Sequence, residues 1–277
     1  MKNAHPPSSN RWPARFSLLL LVGSSALLPR TSVAAGEWYL PAPRTTFHIQ
    51  LQGTVNTSYD VDAYDIDLFD SAPELIEALH HAGRHVICYF SAGSYESWRP
   101  DASTFQPADK GRKLSGWNER WLDIRSANVR AIMRGRLDLA AQKGCDAVDP
   151  DNVDGYTNRT GFPLTAADQL AYNIFLATEA HSRSLGVGLK NDLDQIPELV
   201  SYFEFAVSEQ CDQYHECEAL SPFITSGKPV LNIEYKKRYL RSAHARARLC
   251  AKSASLGLYT LILPRDLNDK FRIACAP

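Results

Sequence analysis

Short apolar, β-branched runs alternate along this chain with longer amphipathic segments, the pattern of βα units built around a parallel sheet. Eight such runs stand out, at 47–52, 63–69, 85–90, 147–150, 186–189, 203–208, 229–233 and 258–263. Between them lie segments of helical character at 72–82, 127–142, 165–184 and 243–255, each followed within a few residues by the glycine that helix C-termini favour. Eight strands with interleaved helices predict closure, so the expected fold class is α/β, a single (β/α)8 TIM barrel.

Ahead of the first strand the pattern changes. Arg11 and Arg15 precede an apolar stretch at 16–28, and Ser32, Val33, Ala34 and Ala35 supply the small residues of a cleavage site. Residues 1–34 therefore read as a secretory signal peptide and 35–277 as the barrel domain. The apolar stretch is shorter than the roughly 20 residues a membrane span needs, so no stable membrane insertion is expected after cleavage. The signal holds Lys2, Arg11, Arg15 and Arg30 and no acid, so its removal takes the formal charge from -1 to -5. An acidic product argues against nucleic acid as a partner.

Export permits disulfides. Cys211 and Cys217 are close enough in sequence to staple one loop, and Cys250 with Cys275 can tie the C-terminal tail to a helix. Cys88 and Cys145 sit in apolar, strand-like surroundings that suit a buried thiol as well as a bond. With no CxxC pair and eight scattered histidines, no metal or cofactor is expected. There is no GxSxG elbow, Walker loop or dinucleotide fingerprint either.

The chemistry gathers where the runs end. In a barrel the C-terminal strand ends and the loops after them form the catalytic face, and here they read QLQG, DIDLFD, CYFSAGSYE, DPDNVDGY, LKND, SEQC, IEY and PRD. Cleaving a glycosidic bond commonly takes two carboxyls flanking the anomeric carbon, one ionised and one protonated. Asp149, Asp151 and Asp154 follow the fourth run and Glu209 ends the sixth, two strands away around the mouth, with Glu234 after the seventh in reserve. Lys190 and Asn191 after the fifth bring a cation and an amide. Asp65, Asp67, Asn152, Tyr89 and Tyr235 complete the candidate substrate-binding set, and Tyr89, Trp98, Trp117, Trp121 and Tyr235 are aromatic surfaces for stacking on sugar rings. The plainer alternatives are calcium binding or turn capping for the aspartates, a Glu209–Lys190 rim salt bridge, and core packing for half of the aromatics. Asn56 and Asn158 begin glycosylation sequons.

Taken together, DIDLFD, VICYFSAGSYESWRPD, GCDAVDPDNVDGY, GLKND, FAVSEQC with the following YHEC, and NIEY resemble the glycoside hydrolase family 114 domain, typified by endo-α-1,4-polygalactosaminidases. The likeness runs from about residue 47 to 263. It implies a (β/α)8 barrel that hydrolyses α-1,4-linked galactosamine polymers, with Asp151 as nucleophile and Glu209 as general acid/base. The Asp151–Asn152 pair is also similar to the nucleophile site of related α-galactosidase barrels. One departure is the first strand, where Phe47, His48 and Ile49 stand in place of the tryptophans members tend to carry, so the subsite there is not carried over. Free galactosamine units are cationic, and Asp65, Asp67 and Glu234 with a net negative chain suit such a polymer electrostatically. The expected partner is thus a galactosamine-rich exopolysaccharide met outside the cell. Two other readings compete: a non-catalytic extracellular carbohydrate-binding protein on the same barrel, and a hydrolase of another α-linked glycan.

Overall fold

All eight apolar runs form strands of one sheet in the computed structural model, which describes residues 37–275. The signal segment read at 1–34 lies outside the described residues. In chain order the strands are β1 (Phe47–Gln50), β2 (Ala63–Asp67), β3 (His85–Ser91), β4 (Ser94–Glu96), β5 (Lys110–Lys113), β6 (Glu119–Leu122), β7 (Ala147–Asp151), β8 (Gly186–Lys190), β9 (Phe205–Glu209), β10 (Val230–Glu234), β11 (Tyr259–Ile262) and β12 (Ile273–Ala274). The main sheet runs β1-β2-β3-β7-β8-β9-β10-β11-β12, parallel from β1 to β11, with β12 antiparallel on β11. It curls into the expected barrel with an irregular seam. The Leu267 carbonyl accepts the Leu51 and Gln52 amides at 2.9 and 3.2 Å, and Arg272 donates to the Phe47 carbonyl at 2.8 Å, so the segment after β11 stitches the first strand in place.

The helices are α1 (Pro73–His81), α2 (Ala127–Lys143), α3 (Ala166–His181), α4 (Ile196–Leu199), α5 (Cys211–Tyr214), α6 (Ser221–Thr225), α7 (Lys237–Arg241) and α8 (Ala243–Ser255). Capping signals in the sequence mark three of the four long ones. Ser126 caps α2, which stops at Gly144 with φ +86°; Thr165 and Asp168 form a capping box on α3; Ser242 caps α8. Among the described residues no helix is long and apolar enough to cross a membrane.

Strand periodicity sorts the core into two layers. Tyr64, Ile66, Val86, Cys88, Val148, Val187 and Leu189 face outward and pack under the helices, while Phe47, Ala63, Ile87, Ala147, Phe205, Leu231 and Leu261 fill the barrel. Gly188 shows how tightly the inside is packed. A Cβ there would come within 2.3 Å of the Phe205 ring, its register partner on β9, so the missing side chain on β8 is the space the ring occupies. The alternative left open for Cys88 and Cys145 resolves to a bond: Cys88 faces outward from β3, and the Cα of Cys145, in the turn between α2 and β7, lies 6.0 Å away. Closing so long a loop restrains the unfolded chain by roughly 4 kcal/mol in the chain-entropy description. Cys211–Cys217 and Cys250–Cys275 are also bonded.

A small antiparallel sheet, β4-β6-β5, follows β3 and was not anticipated. Its strands, SYE, KGRK and ERWL, are three or four residues long and mostly polar, so they leave no apolar run to read.

Candidate active site

Parity that fills the barrel floor with apolar groups places charge at its top. Two residues beyond Ala147 stands Asp149 and two further Asp151; β8 continues Gly186, Gly188, Lys190, and β9 continues Phe205, Val207, Glu209. At each of these three strand ends the chain then turns sharply through left-handed backbone, at Asn152 (φ +61°), Asn191 and Asp192 (+51° and +47°) and Gln210 (+64°). Such conformations cost about 1–3 kcal/mol each outside glycine and persist where surrounding structure holds them. Here the holding contacts are visible. The Asn152 Oδ1 accepts from Ser91 Oγ at 2.7 Å, and the Asn191 Oδ1 accepts the Glu209 amide at 2.9 Å. Gly93 lets the end of β3 press on this turn, since a Cβ there would lie 1.7 Å from the Asn152 carbonyl oxygen.

Lys190 is the centre of the arrangement. Its buried ammonium lies 3.4 Å from Asp149, 3.7 Å from Asp151 and 3.9 Å from Glu209. Burial works against its charge, but Asp149, Asp151, Glu209 and Asp65 outweigh burial and hold it well above the ordinary lysine range. Asp151 accepts from the Tyr89 hydroxyl at 2.9 Å and from the Asn152 amide at 2.7 Å. Glu209 accepts from the Tyr235 hydroxyl and, at 3.4 Å, from the Asn191 amide group. Below them, burial and the neighbouring carboxylates push Asp149 up to about 6 even beside Lys190. Asp65 is raised well above the usual carboxylate range, first by burial and then by Asp149.

Asp151 and Glu209 open into a cleft of about 700 Å³ that Tyr89, Asn152, Asp154, Lys190, Asn191 and Tyr235 also line. The two tyrosines bond the carboxylates through their hydroxyls, which is a different use from the stacking surface anticipated for them. Three predicted residues are engaged inside the protein. Asp65 is enclosed beneath the mouth with no exposed surface and is absent from the cleft wall. Asp67 borders the cleft, but Arg99 grips both of its oxygens at 2.9 and 2.6 Å, so its charge is spent inside the protein. Glu234 has the wrong parity: it shares the outward face of β10 with Val230, accepts the Asp212 amide at 2.7 Å and supports the loop behind Glu209. An electrostatic fit to a polycation therefore cannot rest on these three.

Other residues take that place, and sequence reasoning passed over them. Glu119, from the unanticipated β6, faces the cleft and accepts from Ser94; burial pushes it up to about 7. Its only signal was the flanking tryptophans, of which Trp98 and Trp117 stand exposed at the cleft and Trp121 is buried in its wall. Asp192 lay inside the quoted LKND string, one residue beyond those singled out.

The geometry is that of two carboxylates facing one groove, and the chain as a whole is similar to known proteins. The model of glycoside-hydrolase family GH114 matches residues 28–277. The crystal structure of Aspergillus fumigatus Ega3 in complex with galactosamine is 44% identical over 86% of this chain and 98% of that one, with a TM-score of 0.82. Two more distant structures share the fold alone. They are the glycoside hydrolase domain of PelA from Pseudomonas aeruginosa (17% identity, 83% and 98% covered, TM-score 0.66) and the trehalulose synthase MutB from Pseudomonas mesoacidophila MX-45 (9%, 69% and 57%, 0.51). No protein of curated function matches the chain.

Proposed function

This chain belongs to glycoside-hydrolase family GH114, and from that premise we propose a secreted, endo-acting hydrolase of α-1,4-linked galactosamine polymers that uses Asp151 as nucleophile and Glu209 as general acid/base. The observation that carries the reading is the pair of carboxylates held around one buried ammonium, at the open end of the barrel. Because Lys190 reaches them at 3.7 and 3.9 Å, their facing oxygens are at most about 8 Å apart, a span that includes the roughly 5–5.5 Å of retaining enzymes.

In this reading an Asp151 oxygen attacks the anomeric carbon while Glu209 gives its proton to the departing glycosidic oxygen, which leaves with the bond electrons as a hydroxyl. Water then attacks the glycosyl–Asp151 ester, Glu209 takes its proton, and the carboxylate is restored. Tyr89 and the Asn152 amide fix the rotamer of Asp151; Tyr235 and Asn191 fix that of Glu209. The galactosamine seen in the Ega3 complex and the 44% identity support the sugar. Three disulfides fit an oxidising, extracellular setting, in line with the apolar N-terminal run.

The test is reducing-end release from partially deacetylated α-1,4-galactosaminogalactan by the mature protein beside its Glu209→Gln variant. Wild type should release short oligomers, and the variant should lose about 10³-fold or more in rate with an unchanged melting temperature, as removal of a general acid/base does. Activity on a different α-glycan alone would retire the substrate, and inactivity on every glycan tried would favour a binding protein.

A further inference from the structure

The SAGS turn that joins β3 to β4 carries two serines, Ser91 and Ser94, that the mechanism above leaves unused. They stand in a row of oxygens that starts in the cleft wall. Glu119 Oε2 on β6 meets Ser94 Oγ, Ser94 Oγ lies 2.7 Å from Ser91 Oγ, and Ser91 Oγ lies 2.7 Å from Asn152 Oδ1. The row ends at the nucleophile. Asn152 holds the left-handed turn at φ +61° and donates its backbone amide to Asp151 Oδ1 at 2.7 Å. The same SAGS turn donates the Ala92 and Gly93 amides to the Asp151 carbonyl at 2.8 and 3.0 Å.

Protons along this row can be counted. Three oxygen–oxygen contacts need three, and the two hydroxyls supply two. Ser91 Oγ also accepts the Ser94 amide at 3.0 Å, and neither serine has exposed surface, so no water reaches the inner contacts to supply the third proton. If Glu119 is ionised, Ser94 turns its hydroxyl to the carboxylate, and the single Ser91 proton serves either Ser94 or Asn152. Two acceptor oxygens are then left 2.7 Å apart with nothing between them. If Glu119 is protonated, it donates to Ser94, Ser94 donates to Ser91 and Ser91 donates to Asn152. Every contact is then filled in one direction, the arrangement in which successive hydrogen bonds strengthen one another.

We infer that Glu119 is a positioning residue for the nucleophile, acting through Ser94, Ser91 and Asn152: its neutral carboxyl completes the chain that holds the Asp151 turn, and its ionisation loosens that turn. This role rests on the reading of Asp151 as nucleophile. The groups facing Glu119 set where the change falls. Burial pushes its carboxyl up to about 7; Glu96 on β4 and Asp151 on β7 push the same way, while the Ser94 hydroxyl and the Arg99 guanidinium oppose them. Tyr89 on β3 also lies in its field and stays neutral, since burial raises its phenol well above the ordinary range. The chain is therefore complete below about pH 7 and broken above it. Attraction of a substrate amine works in the opposite sense, because it needs the carboxylate, so the two roles separate in pH.

Glu119→Gln tests this, because its side-chain amide donates to Ser94 at every pH, and Ser94→Ala breaks the row without touching a charge. The protonated fraction of a group titrating at about 7 falls roughly tenfold between pH 6 and pH 8. Wild-type kcat on the galactosamine polymer should therefore fall about tenfold more over that range than kcat of Glu119→Gln. Ser94→Ala should share the shallower slope, and the double variant should flatten it no further. In the free protein the Asn152 amide resonances, followed by NMR, should titrate with a midpoint near 7 in wild type and lose that transition in both single variants. Equal pH slopes of kcat in wild type and Glu119→Gln, a change in KM alone, or an Asn152 transition that survives Glu119→Gln would overturn the positioning role and leave the substrate reading intact. A wild type that shows the expected Asn152 transition yet cleaves no galactosamine polymer would retire the substrate reading and leave the coupling of Glu119 to the Asp151 turn standing.

Discussion

The floor and the rim of this barrel stand on the same strands and the same side-chain parity, yet they do opposite work. At the floor Phe47, Ala63, Ala147, Phe205 and Leu231 interlock as an apolar plug; one or two residue pairs further along β7, β8 and β9, Asp149, Asp151, Lys190 and Glu209 crowd one cation against three carboxylates. Two residues of strand cover about 7 Å, so the change from stabilising to reactive chemistry is abrupt. Floor packing gains free energy by excluding water, whereas the rim is viable only because its charges compensate one another. The distinction is breakable by experiment, since loss of a floor residue should act on stability at every pH and loss of a rim partner should act on both activity and stability in a pH-dependent way.

Lys190→Met is the severest test. It leaves Asp149 buried without its cation, and breaking a buried pair from one side costs about 3–5 kcal/mol. Urea unfolding should show that loss at pH 8. At pH 5 the deficit should shrink, because Asp149, already raised to about 6 in the intact site, meets the loss by taking up a proton. Hydrolysis should fall by 100-fold or more at either pH. A deficit equal at both pH values would mean that the lysine stem, and not its charge, matters.

Phe205→Ala comes next. The ring is fully buried over Gly188, and removing such a group typically costs about 3–5 kcal/mol. Urea midpoints should drop equally at pH 5 and 8, while kcat/KM of the folded protein stays within about threefold. A large loss of kcat/KM without unfolding would show that floor and rim are mechanically coupled.

Much of this division is legible in the sequence. Apolar runs located all eight barrel strands, and the switch from apolar to polar at each run's end located the mouth, because a period of two is enforced by backbone geometry whatever the tertiary context. Parity within the runs was the unused signal. Glu234 and Tyr235 are adjacent, so they cannot both face the cleft, and the alternation with Ile233 inside already excludes Glu234. Glu119 and Asp192 were harder. Their positions depend on loops and on a small sheet anchored by Arg99 between Asp67 and Glu96, at 2.6 and 2.8 Å, and such long-range ion pairs leave no local periodicity. The two halves of Cys88–Cys145 were unreadable for a similar reason: the turn from α2 into β7 brings Cys145 beside β3, and sequence spacing carries no trace of that.

Glu234 supplies the mildest and most discriminating test. It lies at the height of the rim but on the barrel's outer face, fully buried, with its Oε1 accepting the Asp212 amide and its Oε2 without a partner. Unlike the rim acids it has no ammonium against it, and burial pushes its carboxyl up to about 7. Between about pH 4.5 and 7 the unfolded chain has therefore released this proton while the folded protein still holds it, so stability falls as pH rises through that window and is level on either side. Glu234→Gln keeps an acceptor for the Asp212 amide and removes the titration. On going from pH 5 to pH 8 wild type should lose about 2 kcal/mol more than the variant, roughly 4–8 °C in melting temperature for a domain of this size. The slope with pH is the readout, because the buried amide brings its own unpaired donor and sets the absolute height. Parallel melting curves at the two pH values would show that Glu234 is compensated after all, and that the outer face of the barrel obeys the same rule as the rim.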